Sequence, residues 1–135
     1  MLTIPTAIYN AVIKHAEAGA PIETCGYFSG KEGVVYTFIP MTNRDNQPDH
    51  FSFDPSEQFQ AVKQARATGE DLMVVYHSHP VTPARLSEED LRLFNDPKMI
   101  YVIVSLMDSI PKMSAFRIQK SEKEVLIESI PIHLS

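Results

Sequence analysis

Leu72-Met73-Val74-Val75-Tyr76-His77-Ser78-His79-Pro80 is an apolar run that ends in two histidines and a proline. Its length and its valines read as a buried strand. Side chains alternate along a strand with a period of two, so His77 and His79 project from the same face. Pro80 has no N–H to give a ladder and closes the strand. Two neutral imidazoles side by side are two ready zinc ligands; a nearby carboxylate can supply the third and leave the fourth tetrahedral position to water. The stretch therefore predicts a central strand with an open metal site at its end.

Outward from that strand, the chain predicts a mixed central β-sheet with packed helices. Pro5 to Ala18 reads as a helix, with Ile8, Ala11, Val12 and Ala16 on one face and Gly19 at the stop. Cys25–Ser29 and Val34–Ile39 form a hairpin around Gly30-Lys31-Glu32-Gly33. Asp54-Pro55-Ser56-Glu57 starts a helix with proline at N1 and glutamate at N3, running to Thr68 and burying Phe59, Val62 and Ala65. Beyond Pro80, a loop leads to Ser87 and a short helix from Glu88 to Phe94. Met99–Leu106 is a second central strand, and strands near Met113–Gln119 and Glu124–Ile130 close the sheet as a hairpin. No repeat, low-complexity segment or linker interrupts the 135 residues, which reads as one domain over residues 1–135.

Two more motifs accompany the histidines. Ser87-Glu88-Glu89-Asp90, ahead of Leu91, Leu93 and Phe94, has the form of a capping box at a helix start. Alone, that structural account would suffice, and an isolated H-x-H is equally weak. Both fall within fourteen residues at the end of one strand, from His77 to Asp90. Upstream, Glu23 stands immediately before the short strand that begins at Cys25.

Taken together, Glu23, then His77-Ser78-His79-Pro80, six residues, and Ser87-x-x-Asp90 resemble the JAMM (MPN-plus, Mov34/PAD-1-like) zinc metalloproteases. The likeness runs from Ile4 to about Ile130 and includes the Asn43–Pro55 stretch and the Ser105-Leu106 strand end of the small bacterial branch. It implies the cytidine-deaminase-like α/β fold of JAMM/MPN domains. It also implies His77, His79 and Asp90 as ligands of one zinc ion per chain, Glu23 as general base toward the water, and Ser87 as oxyanion donor. The reaction would be hydrolysis of an amide bond at or beyond the C-terminal Gly-Gly of a ubiquitin-like sulfur-carrier protein. It would either trim an extension or release a joined amino acid. The chain departs from the family pattern at Tyr27, Phe28 and Ser29, where aliphatic residues are commoner, and at Leu86, where proline is frequent. None of these is in the ligand set.

Composition narrows the classes. A net charge of −5 without a Lys/Arg cluster argues against a nucleic-acid-binding face. The longest apolar stretch, Met99–Met107, is too short to span a membrane, and Met1–Pro5 carries no basic signal-peptide start. One cysteine makes no internal disulfide and fits a cytoplasmic location. A zinc deaminase is excluded because no P-C-x-x-C follows. Metal hydrolases of other architectures that begin with H-x-H need more histidines than the single one, His133, that comes after Asp90. The alternative that remains is a catalytically silent MPN-type scaffold that binds protein partners, though such scaffolds have typically lost ligands that this chain keeps. Cys25 reads as a small core residue rather than a nucleophile, and Ser78 as structural. His15 and His133 read as surface residues, and His50 as a half-buried strand position. Arg85 stands open between substrate contact and plain solvation.

Overall fold

A computed structural model describes residues 1–135. In chain order the elements are β1 (Leu2–Ile4), α1 (Thr6–Gly19), β2 (Cys25–Lys31), β3 (Val34–Met41), α2 (Pro55–Ala67), β4 (Asp71–His79), α3 (Glu88–Leu93), β5 (Ile100–Ser105), β6 (Lys112–Lys120), β7 (Val125–Ile130) and β8 (Ile132–Leu134). All eight strands lie in one sheet, ordered β7-β6-β5-β4-β2-β3-β1-β8. β4 is antiparallel to β2 and parallel to β5, so the sheet is mixed as expected. The parallel pair is joined through α3, the kind of crossover that parallel strands require.

The two faces of β4 go to different layers. Val74 and Tyr76 face α1, where Val12 and Ala16 join Phe28, Val35, Val102 and Val104 in the main core. Val75 faces α2 with Cys25, Tyr27, Ile39 and Ala61. A third cluster, Phe94, Tyr101 and Ile118, sits under α3 on that same side. His77 and His79 therefore emerge between α2 and α3, and Ser78 points under α1.

Local chemistry explains the helix ends. Asp54 Oδ1 accepts from the Ser56 and Glu57 N–H groups at 2.8 and 3.3 Å, with Pro55 at N1. Glu57, instead of bonding back to its cap, accepts from Thr42 N–H at 2.8 Å and Thr42 Oγ1 at 2.9 Å. That contact ties α2 to the end of β3. Gly69 follows at φ +71°, a left-handed position that glycine takes without a Cβ penalty.

Three expectations are corrected. Phe59 is 62 % exposed, because α2 meets the sheet through Ala61 and Ala65, whose small side chains allow close approach. His15 is half-buried at the seam between α1 and the sheet, with Nδ1 3.3 Å from Tyr76 Oη. His50 lies in the loop after β3 rather than in a strand. The terminal strands β1 and β8, which were not anticipated, pair in parallel and join the two ends of the chain through Leu2–Ile132 and Ile4–Leu134. No helix is long and apolar enough to cross a membrane.

Candidate metal centre

Register assembles the site. Cys25 on β2 pairs with His77 on β4, and Ser78 N–H continues the ladder by donating to the Thr24 carbonyl at 2.9 Å. Glu23, one residue further out, is thereby carried alongside the end of β4. Both Glu23 and His79 line a cleft of about 480 Å³.

His79 also belongs to a cluster with His77 and Asp90, each with a ligand atom within 4.8 Å of the others and all three buried. The two Nε2 atoms are 3.0 Å apart. Asp90 Oδ2 lies 3.3 Å from His77 Nε2 and 3.1 Å from His79 Nε2. Ligands about 2.0–2.1 Å from a tetrahedral zinc are themselves spaced by roughly 3.3 Å, so this triad fits that ion.

The surroundings fix each ligand. His79 Nδ1 donates to the Pro83 carbonyl at 2.9 Å, which leaves the lone pair on Nε2 and aims it at the cluster. His77 is stacked on Phe51 with centroids 4.9 Å apart and meets the Phe94 ring edge-on at 5.4 Å. Burial pushes its pKa down, favouring the neutral, ligating imidazole. Burial opposes charging both partners of the other pair too. Even so, the hydrogen bond and charge of Asp90 raise His79, and hydrogen bonds from His77 and then His79 hold Asp90 well below the usual carboxylate range.

Ser87 and Asp90 close a capping box, and Asp90 at the same time belongs to the cluster with His77 and His79. Asp90 N–H donates to Ser87 Oγ at 3.0 Å, and Ser87 N–H donates to Asp90 Oδ2 at 3.0 Å. The cap uses Ser87 Oγ only as an acceptor, so its hydroxyl proton is free to donate into the cleft that Ser87 lines.

Glu23 is only 5 % exposed, and its Oε1 is buried with no hydrogen-bond partner. Burial pushes its carboxyl up to about 8; His79 pulls the other way, and Asp90, Asp49 and Glu89 add to the rise. Its main chain is clamped by the loop after β3. Glu23 N–H donates to the Gln47 carbonyl at 3.0 Å, and Asn43 Nδ2 donates to the Glu23 carbonyl at 2.9 Å. The same Asn43 amide reaches the His50 carbonyl at 3.0 Å, while its Oδ1 accepts from Asp45 N–H at 3.0 Å. Asn43 and Gln47 went unrecognised in the sequence as functional residues. The signal lay only in the family-like Asn43–Pro55 stretch, which gave neither of them a role.

Of the remaining candidates, His50 fastens this loop, its Nδ1 2.9 Å from Asp45 Oδ2. Its hydrogen bond with Asp45 raises its pKa. Cys25 is fully buried, and burial pushes its thiol up to about 12, so no thiolate nucleophile forms near neutral pH. Ser78 is buried on the other face, and His133 is exposed on β8. Arg85 is exposed in the loop between the ligands and makes no side-chain hydrogen bond or ion pair.

A mixed sheet whose central strand ends in two histidines, met by an acidic helix cap and a buried glutamate, is the JAB1/MPN type of domain. A JAB1/MPN-domain protein from Archaeoglobus fulgidus shares the fold at a TM-score of 0.66 over 99 % of this chain and 97 % of that one, with 20 % identity. The chain belongs to the family described as prokaryotic homologs of the JAB domain, whose model matches residues 5–119. It is similar to a Desulfitobacterium hafniense protein of known structure, 37 % identical with a TM-score of 0.86 over all of this chain and 94 % of that one. It is also 36 % identical over 110 residues to the CysO-cysteine peptidase of Mycobacterium tuberculosis, across 80 % of this chain and 75 % of that protein.

Proposed function

We propose that the chain, residues 1–135 acting as one domain in the cytoplasm, is a zinc-dependent peptidase or isopeptidase. Its substrate would be an amide bond at or beyond the C-terminal Gly-Gly of a ubiquitin-like sulfur-carrier protein. The observation that carries this reading is the convergence of His77, His79 and Asp90 at the wall of a cleft that His79 and an unpartnered, buried Glu23 both line. A silent scaffold has no need of that carboxylate, which costs stability to bury. Family membership and the relative that acts on CysO-cysteine support the class of reaction and of substrate.

His77 Nε2, His79 Nε2 and an Asp90 oxygen would hold one zinc. Bound there, the metal supplies the Lewis acidity that polarises a carbonyl and acidifies water. The protein supplies the rest. Glu23 Oε1 takes a proton from the attacking water and returns it to the leaving amine nitrogen. Glu23 Oε1 is buried and has no hydrogen-bond partner to give up first, so it stands open to that exchange. The Ser87 hydroxyl donates to the oxygen on which negative charge develops. No acyl-enzyme is needed.

Metal content per chain, measured with and without the His79→Ala substitution, is the test, followed by hydrolysis of a carrier-tail peptide. One zinc in the wild type, none in the variant, and cleavage only by the metal-loaded wild type are expected. A wild type that takes up no zinc would return the chain to the scaffold reading.

A further inference from the structure

Two recesses flank the pair His79 and Ser87, and their charges are opposite. The larger, of about 480 Å³, is lined by Glu23, Asp49, Glu88 and Glu89 and by no Lys or Arg. The smaller, of about 230 Å³, shares His79, Thr82 and Ser87 with it, and its one charged side chain beyond the shared histidine is Arg85.

Arg85 is not on a loose loop. The Pro83 carbonyl accepts both Arg85 N–H and His79 Nδ1–H, each at 2.9 Å, so the turn that carries Arg85 is fastened to a metal-site histidine. Ser105 Oγ donates to the Thr82 carbonyl at 2.6 Å and pins the loop to the end of β5. Ser87 then starts α3. While its backbone is held at three points, its guanidinium meets no acid. Arg92 and Lys112, by contrast, pair with Glu89 and Asp108.

We propose that Arg85 is a specificity residue that receives the free α-carboxylate of the departing residue, so that the preferred substrate is a carrier tail extended by a single C-terminal amino acid. This deepens the proposed peptidase function and rests on it. A tail crossing the site has one flank in each recess. A carboxylate placed in the larger one would face acidic side chains, whereas in the smaller one it meets a guanidinium whose planar fork matches its two oxygens. A lysine isopeptide brings no free carboxylate to that position.

Two synthetic tail peptides ending in Gly-Gly-Ala, one with a free carboxylate and one with a C-terminal amide, test this on the zinc-loaded full chain. In the wild type, kcat/KM for the acid is expected to exceed that for the amide by about tenfold or more, the scale of one hydrogen-bonded charge pair. Arg85→Gln should bring that ratio close to one, and Arg85→Lys should restore part of it. Equal cleavage of acid and amide by the wild type, or an unchanged ratio in Arg85→Gln, would overturn the carboxylate subsite alone. Cleavage of neither peptide by the zinc-loaded wild type would remove the proposed function and this inference with it.

Discussion

Along its last four residues β4 has two polar faces, both buried, and they are finished differently. Beneath α1, Ser78 Oγ accepts from Thr24 N–H at 2.8 Å and from Thr24 Oγ1 at 3.0 Å. Tyr76 Oη bonds the same Thr24 hydroxyl and lies within reach of His15. On the opposite face, His77 Nδ1 and Glu23 Oε1 are the only buried side-chain nitrogen and oxygen atoms in the protein without a partner. A buried polar atom left unpaired costs about 1–3 kcal/mol. One strand thus carries a face whose hydrogen bonds are closed, which is how polar groups serve stability. Beside its other face Glu23 Oε1 is left open, which is how a polar group is kept available for chemistry. Burial alone does not tell the faces apart; only the partner count does.

The sharpest way to break this contrast is Glu23→Gln. Hydrolysis is expected to fall by about 10²–10⁴-fold, the range of a general base, while zinc stays stoichiometric. Stability should move the other way. In the metal-free chain Glu23 keeps its proton up to about pH 8, whereas unfolded it ionises in the ordinary carboxylate range. Below that range both states are neutral and nothing is lost. As pH rises through the window the unfolded state releases a proton that the folded state retains, so wild-type stability declines. Glutamine has no charge to bury. Metal-free Glu23→Gln should therefore gain on the wild type between about pH 5 and pH 9, by on the order of a few kcal/mol at the alkaline end. Denaturant melts at the two pH values check this; a constant difference would mean that Glu23 is not held as an acid.

Sequence alone made one face nearly complete and left the other dark. The apolar run 72–76, the alternation of His77 and His79, and the cap at Ser87 are local signals, and each lies where the spacing placed it. Glu23 is different, because its position depends on the β2–β4 register, which the family pattern supplied and local periodicity could not. The Thr24–Tyr76–Ser78 network is invisible in sequence for the same reason, since it joins residues more than fifty positions apart. Phe59 misleads because a large apolar side chain on a helix reads as a buried one. The alanines do the packing, and the Lys63 ammonium lies 5.4 Å from the centre of the exposed ring. β1 and β8, three residues each, have too little pattern to read and exist through pairing across the whole chain.

Ser87→Ala lies on the border between the two behaviours, because Ser87 both caps α3 and lines the cleft. Loss of an oxyanion donor should lower kcat by about 10²–10³-fold, and loss of the cap should lower stability by about 1 kcal/mol. Ser87→Thr keeps both the hydroxyl and the cap, and should recover stability more fully than rate if the added methyl group crowds the cleft. Turnover of a carrier-tail peptide, read beside a denaturant melt, separates the two losses. A fall in stability with kcat unchanged would leave Ser87 as a cap and nothing more.

Ser78→Ala should have the smallest effect on catalysis, and it tests the closed face directly. The substitution strands Thr24 N–H in the core and removes a partner of Thr24 Oγ1, for an expected loss of about 1–3 kcal/mol in stability. Catalysis should stay close to wild type. The backbone bond from Ser78 N–H to the Thr24 carbonyl survives, and Glu23 is still held by Gln47 and Asn43 from the other side. A chain that melts earlier yet binds zinc and turns over normally would show the strand's two faces to be separable. Should kcat instead fall as steeply as it does in Glu23→Gln, the network under α1 would have to be counted as part of what aims the general base.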